Sequence, residues 1–259
     1  MKLSHPLKRL GVVAALVGAM TGSARAADLT QNPREDWPTY GGSFNNQRFS
    51  QLTQVTPRNV RRLRIKWTFE VPDAGIPGTS LETTPIVVRG AGAGLEAFDA
   101  VMFLTSPLSR VIALDAGTGV QVWEFTPSLR SPLNLCCSAS NRGVAFGTVE
   151  VSPGVFEGQV YLATLDARLW AVHAATGQAA AGFTDGVGPV GSVTVADNSA
   201  GFSLTMAPLF IPKADIPPGG VTDGRDVVIV GISGAEFETR GFVTAYDAAT
   251  GDILWRFFT

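Results

Sequence analysis

The sequence predicts an all-β protein built from β-propeller blades, on three observations. A pattern of the form Ala-x-Asp-x-x-Thr-Gly-x-x-x-Trp recurs along the chain, with its glycines at positions 119, 177 and 251. Two apolar runs rich in Val, Ile, Phe and Leu precede each copy, as expected for strands. No run of 12 or more residues shows a helical period. Four strands in each unit of roughly 60 residues are typical of propeller blades.

Each copy of the repeat predicts a tight hairpin. An apolar strand ends at the Asp, a Gly that can adopt positive φ completes the turn, and a second strand carries the Trp. The Asp can accept turn N–H groups, and the Trp indole can cap a neighbouring repeat. The middle copy has His173 in place of the Asp and Ala181 in place of the Trp. We expect His173 to stabilise the turn rather than to act as a general base.

The predicted strands that precede the hairpins pair up in order along the chain. They are residues 84–88 with 101–105, 144–148 with 160–164, and 207–211 with 226–231. We therefore expect three parts: a leader at 1–26, an N-terminal segment at 27–82, and about three blades at 83–259. Trp67 of the N-terminal segment is predicted to lie in a strand that closes the propeller ring. The basic cluster beside it is expected to be a solvated outer edge; it comprises Arg58, Arg61, Arg62, Arg64 and Lys66.

The first 26 residues resemble a cleaved export signal. Lys2, Lys8 and Arg9 precede an 11-residue apolar run, and Ala24-Arg25-Ala26 matches a small-x-small cleavage site. Eleven apolar residues are too few to span a bilayer, and no later stretch reaches about 18. Without these residues the chain has 16 basic and 22 acidic groups. We expect a periplasmic protein with no membrane span and no affinity for nucleic acid.

Composition excludes several classes of protein and of site. The chain of 259 residues is 45% hydrophobic and only 16% charged, which argues against disorder and against a coiled coil. His5 and His173 are its only histidines, so a zinc site built from several histidines is excluded. A Ser-His-Asp triad would have to use His173.

The two cysteines, Cys136 and Cys137, are adjacent in the sequence. An arbitrary pair of this kind is most simply two buried, reduced thiols. Export into an oxidising compartment instead favours a disulfide between them. The residues alone leave both alternatives open.

Several motifs together resemble the PQQ (pyrroloquinoline quinone) dependent alcohol dehydrogenases, over essentially the whole chain after the leader. The motifs are residues 36–42, 45–50 and 64–67, Glu82-Thr83-Thr84-Pro85, Cys136-Cys137, Asn141-Arg142-Gly143, Ser203-Leu204-Thr205 with Ala207-Pro208, and Ser233-Gly234-Ala235-Glu236 with Arg240-Gly241. The resemblance implies an eight-bladed propeller with tryptophan-docking repeats. It also implies oxidation of a small alcohol to the aldehyde, with electrons passed to a periplasmic acceptor such as a cytochrome c.

The same resemblance implies roles for individual residues. Cys136 and Cys137 would form a vicinal disulfide against one face of PQQ, and Arg142 would bond the quinone oxygens. Glu236 would bind the active-site calcium, because a hard cation prefers oxygen donors. The remaining contacts to PQQ are expected from Glu82, Thr205, Ser233, Gly234 and Ala235.

Some functional parts of the family have no counterpart before Thr259. The family's catalytic aspartate, its asparagine ligand to calcium, and the tryptophan that stacks on PQQ are expected beyond this residue. No Cys-x-x-Cys-His occurs, so no haem c is expected on this segment. We therefore expect an incomplete dehydrogenase that is inactive alone. The alternative from another class is a non-catalytic, exported propeller scaffold.

Overall fold

The computed structural model describes residues 29, 35–89, 94–220, 222 and 224–259, and the expected leader at 1–26 lies outside them. This part of the chain contains fourteen strands: β1 (Thr79–Leu81), β2 (Ile86–Arg89), β3 (Ala100–Thr105), β4 (Val111–Asp115), β5 (Gln121–Phe125), β6 (Ala139–Asn141), β7 (Val144–Ser152), β8 (Val155–Ala163), β9 (Arg168–His173), β10 (Ser192–Thr194), β11 (Leu209–Ile211), β12 (Val227–Gly231), β13 (Phe242–Asp247) and β14 (Ile253–Phe258).

Three four-stranded antiparallel sheets form the blades. Their strand orders are β2-β3-β4-β5, β7-β8-β9-β10 and β11-β12-β13-β14. The only helical elements in the described ranges are four 3-10 turns of three residues each, so the all-β propeller prediction is confirmed. No helix among these residues combines the length and apolarity needed to cross a membrane.

A short parallel pair, which the sequence did not predict, joins the entrances of the first two blades. Strand β1 pairs with β6, with Thr79 opposite Ala139. Beyond this pair the Thr84 N–H donates to the Arg142 carbonyl over 3.0 Å, and the Arg142 N–H donates to the Thr205 carbonyl over 3.0 Å. The loops that lead into β2, β7 and β11 therefore lie side by side at one end of the blades.

Tryptophan docking holds the first two joints together. The Trp67 indole N–H donates to the Ala116 carbonyl at 3.2 Å, and the Trp123 indole donates to the Ala174 carbonyl at 2.8 Å. Gly177 has a φ of +71°, and a Cβ built there would lie 2.7 Å from the Trp123 ring. The turn therefore requires glycine for two reasons: the backbone adopts a positive φ, and the Trp123 ring leaves no space for a Cβ. The predicted capping of neighbouring repeats by Trp is confirmed.

The third joint uses a tyrosine instead. Ala248 occupies the same repeat position as Ala116 and Ala174, and its carbonyl accepts the Tyr161 hydroxyl at 2.8 Å. The space over Gly251 is filled by Val193 and Phe183 side chains. A phenol and two apolar side chains thus replace the Trp that position 181 lacks.

The predicted hairpin of the middle repeat is partly wrong. After the Gly177 turn the chain makes one bridge, between Ala179 and Val172, and then leaves the sheet. It returns as β10, which supplies the fourth strand beside β9. The second strand of the hairpin does not form here, because position 181 has no Trp to dock on the next blade and because the stretch at 182–191 is rich in Gly and Pro.

The predicted turn-stabilising role of His173 is also wrong. In the other repeats the carboxylates of Asp115 and Asp247 accept turn N–H groups at 2.8 and 2.9 Å. The His173 Nδ1 instead lies 3.1 Å from a carboxylate oxygen of Glu157, on the neighbouring strand. The Gly177 N–H closes the middle turn by donating to the His173 carbonyl at 2.9 Å. An imidazole is too bulky to reproduce the short Asp-to-backbone bond.

The apolar cores lie between consecutive blades. Phe103 and Val160 belong to the cluster between the first two sheets, and Tyr161 and Phe210 to the cluster between the second and third. A smaller cluster packs Trp67 against the outer face of the first blade. The basic residues at 58–66 are all exposed, as expected.

Candidate functional site

A cleft of about 470 Å³ opens where the three blade entrances meet. Seven of the nine residues predicted for the site line it: Glu82, Cys136, Cys137, Arg142, Thr205, Ser233 and Glu236. The other two, Gly234 and Ala235, connect Ser233 to Glu236 along the chain and are not part of the lining. Residues up to 154 positions apart in sequence therefore converge here.

A vicinal disulfide between Cys136 and Cys137 forms part of the wall. Both cysteines are exposed, so their sulfurs are available to a ligand in the cleft. A carboxylate oxygen of Glu236 and the two sulfurs all lie within 4.8 Å of one another. The sulfurs of a disulfide are soft and uncharged, whereas the carboxylate is a hard donor. Of these three residues, Glu236 alone is suited to bind calcium.

Arg142 also lines the cleft and is held by two side chains. One guanidinium nitrogen lies 2.9 Å from a Glu82 carboxylate oxygen, and the other donates to the Thr205 hydroxyl at 2.8 Å. Because the side chains of Arg142 and Glu82 are 42% and 37% exposed, this ion pair orients the guanidinium and adds little stability. Arginine suits such a rim position, since its planar fork stays charged and can bond two oxygens at once.

The loop around Arg142 is shaped by its two neighbours. The Asn141 side-chain oxygen accepts the Gly143 N–H at 2.9 Å, and its amide donates to the Ala163 carbonyl at 2.8 Å. Gly143 has a φ of +128°, and a Cβ there would lie 2.9 Å from the Thr84 carbonyl oxygen. The Asn-Arg-Gly sequence thus bends the chain tightly enough to present Arg142 to the cleft.

A backbone bridge between Ser203 and Ser233 forms another part of the cleft lining. Each N–H donates to the other residue's carbonyl at 3.0 Å, and the Ser233 hydroxyl donates to the Ser203 carbonyl at 2.7 Å. Gly234 follows with a φ of +144°, and a Cβ there would lie 2.7 Å from the Gly201 carbonyl. This close approach leads into the 3-10 turn Ala235–Phe237, which carries Glu236.

The family model for the PQQ β-propeller domain of glucose, ethanol and alcohol dehydrogenases matches residues 37–259. The chain belongs to this family. Its members are oxidoreductases, which favours the dehydrogenase over the scaffold alternative.

Proteins similar to this chain are named as alcohol dehydrogenases. The quinohemoprotein alcohol dehydrogenase ADH-IIG of Pseudomonas putida is 36% identical over 99% of this chain and 31% of its own length. The 1-butanol dehydrogenase (cytochrome c) of Thauera butanivorans is 32% identical over 82% of this chain and 24% of its own. A europium-containing methanol dehydrogenase is 28% identical, with a TM-score of 0.65 over 86% of this chain and 32% of its own. The chain thus spans less than a third of these PQQ-family relatives.

Sequence reasoning missed several lining residues of this PQQ-family cleft. Ser80, Ser138, Ser140, Leu135 and Leu165 line it, and Ser203 does so although it was noted only as part of a motif. Serine and leucine at these spacings carry no distinctive chemical signal. Only the pairing of β1 with β6 and the approach of the β8–β9 turn bring them together.

The opening motif of the sequence adjoins the same site from another side. Trp37 and Val87 exchange backbone hydrogen bonds of 2.8 and 2.9 Å, which anchors the N-terminal segment on β2. Six residues of this segment, 39–41, 43, 44 and 46, then line a second cavity of about 420 Å³, whose wall also includes Arg142 and residues 206–209. The motif therefore backs the Arg142 side of the cleft.

Proposed function

We propose that the protein binds PQQ in the cleft and takes part in oxidising a small alcohol to the aldehyde, with electrons passed to a periplasmic acceptor such as a cytochrome c. One observation carries this proposal. A vicinal disulfide, an oriented Arg142 and the carboxylate of Glu236 converge in one cleft of a PQQ-family propeller.

The residues present fit PQQ, which is flat and carries several anionic oxygens. The cleft volume lies within the roughly 300–1,000 Å³ of small-molecule sites. The exposed disulfide offers an uncharged surface, and the hydroxyls of Thr205 and Ser233 can bond oxygens at the rim. Arg142 supplies a permanent positive charge among them.

Each residue of the chain has a distinct part in this proposal. When bound, PQQ would supply a quinone that accepts hydride from the alcohol carbon. Arg142 would stabilise negative charge on bound oxygens, because a preorganised cation costs no reorganisation when charge develops. Glu82 and Thr205 hold its guanidinium in one orientation. The Cys136–Cys137 disulfide would cover one face of the ligand and exclude water there.

Glu236 is proposed as a calcium ligand in the same site. Calcium takes six to eight oxygen donors, so one carboxylate would be one part of the shell. The relatives are longer than this chain. We propose that the remaining calcium ligands, and the base that takes the alcohol proton, lie in a region that corresponds to the part of the relatives that this chain does not span. The europium of the methanol dehydrogenase is another hard cation, which makes the identity of the metal a matter for experiment.

We also propose that the protein is exported to the periplasm. The expected leader at 1–26 and a disulfide that persists only under oxidising conditions both favour this compartment.

The metal and PQQ proposals can be tested together in protein made from the whole coding sequence. Glu236→Gln keeps the shape but removes one negative ligand. We expect calcium affinity to fall at least about tenfold, because affinity depends on ligand charge. Alcohol-dependent dye reduction with PQQ should fall with it and recover partly in excess calcium.

The matched control is Glu238→Gln, two residues away, exposed and outside the cleft lining. It should leave calcium and PQQ binding unchanged. Unaltered calcium dependence in Glu236→Gln would remove Glu236 from the metal site. Failure of the unaltered protein to bind PQQ would overturn the proposed function itself.

A further inference from the structure

Asn198 lies behind the cleft, where three of its loops meet. The residue is only 3% exposed and begins the 3-10 turn Asn198–Ala200. It does not line the cleft, so no ligand contact accounts for it. Buried amides are normally fully hydrogen-bonded, and the partners of this one are informative.

The side-chain amide of Asn198 makes all of its hydrogen bonds to backbone groups near the cleft. The side-chain NH₂ donates to the carbonyls of Asn134, Leu165 and Phe202 over 3.1, 3.2 and 2.8 Å. The side-chain oxygen accepts the Asn134 N–H at 2.9 Å. An amide NH₂ has two protons, so three carbonyl acceptors use its donor capacity completely.

Each bonded carbonyl belongs to a segment that leads into a different part of the cleft lining. Asn134 lies two residues before Cys136, Leu165 lines the cleft itself, and Phe202 immediately precedes Ser203. One rigid side chain therefore sets the spacing between the disulfide loop, the β8–β9 turn and the entrance of the third blade.

The disulfide loop has a second anchor further upstream. The buried pair of Asp166 and Arg168 accepts the Arg130 N–H at 3.0 Å and donates to the Ser128 carbonyl at 3.0 Å. Between this anchor and the disulfide, the loop is held by Asn134, which bonds to the Asn198 side chain and to the Ser199 carbonyl. On its upstream side the position of Cys136 thus depends most directly on Asn198, and on its downstream side the loop is held by the β1–β6 pair.

We propose that Asn198 is a positioning residue for the site: it holds the Cys136–Cys137 disulfide at a set distance from the Ser203–Ser233 wall. The inference rests on the proposed function for its ligand, PQQ, but not for its effect on the disulfide. Loss of the amide leaves the buried Leu165 carbonyl and the partly buried Asn134 and Phe202 carbonyls without this donor, and lets the loop open locally.

The test compares variants of the protein made from the whole coding sequence. Asn198→Asp keeps the shape but points a carboxylate at three carbonyl oxygens, and Asn198→Ala removes the bonds. Asn198→Ser keeps one donor. The matched control is Tyr161→Phe, which removes another buried bond to backbone, at the third joint and outside the cleft lining. The readouts are melting temperature, the rate of disulfide reduction by a phosphine, and PQQ affinity by fluorescence titration.

We expect Asn198→Asp and Asn198→Ala to speed disulfide reduction and to weaken PQQ binding about tenfold, the factor for about 1.4 kcal/mol. The rate of disulfide reduction and the PQQ affinity of Asn198→Ser should lie between those of these two variants and those of the unaltered protein. If Asn198→Asp does not fold, Asn198→Ser still tests the positioning role. Tyr161→Phe should lower the melting temperature without changing either site readout.

Reduction rates in the Asn198 variants that match Tyr161→Phe would overturn the positioning role. If the unaltered protein binds no PQQ, the proposed function fails, yet the reduction rates still decide whether Asn198 holds the disulfide.

Discussion

Single side chains at the cleft are oriented by hydrogen bonds and ion pairs with neighbouring groups. Asn141 shapes the turn that presents Arg142, and Thr205 and Glu82 then fix the guanidinium. Because these bonds are short and local, the site can be assembled from loops of three different blades. We therefore expect the binding properties of the cleft to depend also on hydrogen bonds between protein groups that do not themselves contact a ligand.

The disulfide provides the simplest test at this scale. With Cys136 and Cys137 bridged, the folded, oxidised protein should show no thiol that reacts with an alkylating reagent. Reduction under denaturing conditions should expose two, counted by mass spectrometry. Two alkylated cysteines before reduction would contradict the vicinal bridge and the surface that it offers to PQQ.

Asp185 predicts a dependence of stability on pH. Partial burial acts to raise the pKa of its carboxyl, but N–H donors of Val187, Gly188 and Thr194 outweigh burial and lower the pKa to about 2. A carboxyl with a lowered folded pKa stabilises the protein above its unfolded value near 3.8, and this contribution disappears as the pH falls through about 2.

Asp185→Asn should therefore lower the melting temperature at neutral pH, and the difference from the unaltered protein should shrink between pH 4 and pH 2. Asp252→Asn, in the exposed turn of the third blade, serves as the control. If Asp185→Asn lowers the melting temperature by the same amount at every pH, the negative charge of the carboxylate does not contribute to the stability that its N–H donors provide.

At the scale of elements, one joint is repeated with different side chains. The carbonyls of Ala116, Ala174 and Ala248 each accept a hydrogen bond from one side chain. The donor belongs to the N-terminal segment for Ala116 and to the preceding blade for the other two. Trp serves twice and Tyr161 once. The joint is therefore defined by its acceptor and its glycine turn, and the donor can change if the apolar volume is filled.

Gly177→Ala tests the docked joint. Positive φ costs a non-glycine residue about 1–2 kcal/mol, and overlap with the Trp123 ring should add about 1–3 kcal/mol to the loss in free energy of unfolding. Gly154→Ala is the matched control, because Gly154 has a φ of +75° with nothing within 4 Å of an added Cβ. Denaturant unfolding that finds equal losses would show that the Trp123 contact does not constrain position 177.

At the scale of the whole molecule, stability comes from cores between blades. Each sheet buries one face against the next, so the outermost faces have fewer partners among the described residues. Ile65 is 84% exposed, and Phe257 on the outer strand β14 is 65% exposed. Exposed apolar side chains next to an unpaired strand edge favour association.

The 259-residue chain produced alone should therefore self-associate with rising concentration, as measured by light scattering after size exclusion. Burying a phenylalanine contributes about 1.5–3 kcal/mol, so Phe257→Ser should weaken the association at least about tenfold. Val187→Ser changes an apolar residue that is even more exposed but lies outside the strands, and it should have little effect. A monomer at all concentrations would contradict this expectation.

The sequence by itself determined the class of the fold and most of the residues at the site. The repeat that ends in Gly119, Gly177 and Gly251 predicts blades, because a tight turn followed by a docking ring requires particular residue types at set spacings. Seven of the nine residues that the family resemblance assigns to the site line one cleft, and these assignments came from motifs shared with the family rather than from the residue types alone.

Only the tertiary structure decided what lies between these residues. The β1–β6 pair, the return of β10, Tyr161 at the third joint and the bonds of Asn198 join segments far apart in sequence. Their residues are ordinary serines, tyrosines and asparagines, whose partners are backbone groups. Every residue has such groups, so no local pattern distinguishes the one that a folded chain brings within hydrogen-bonding distance.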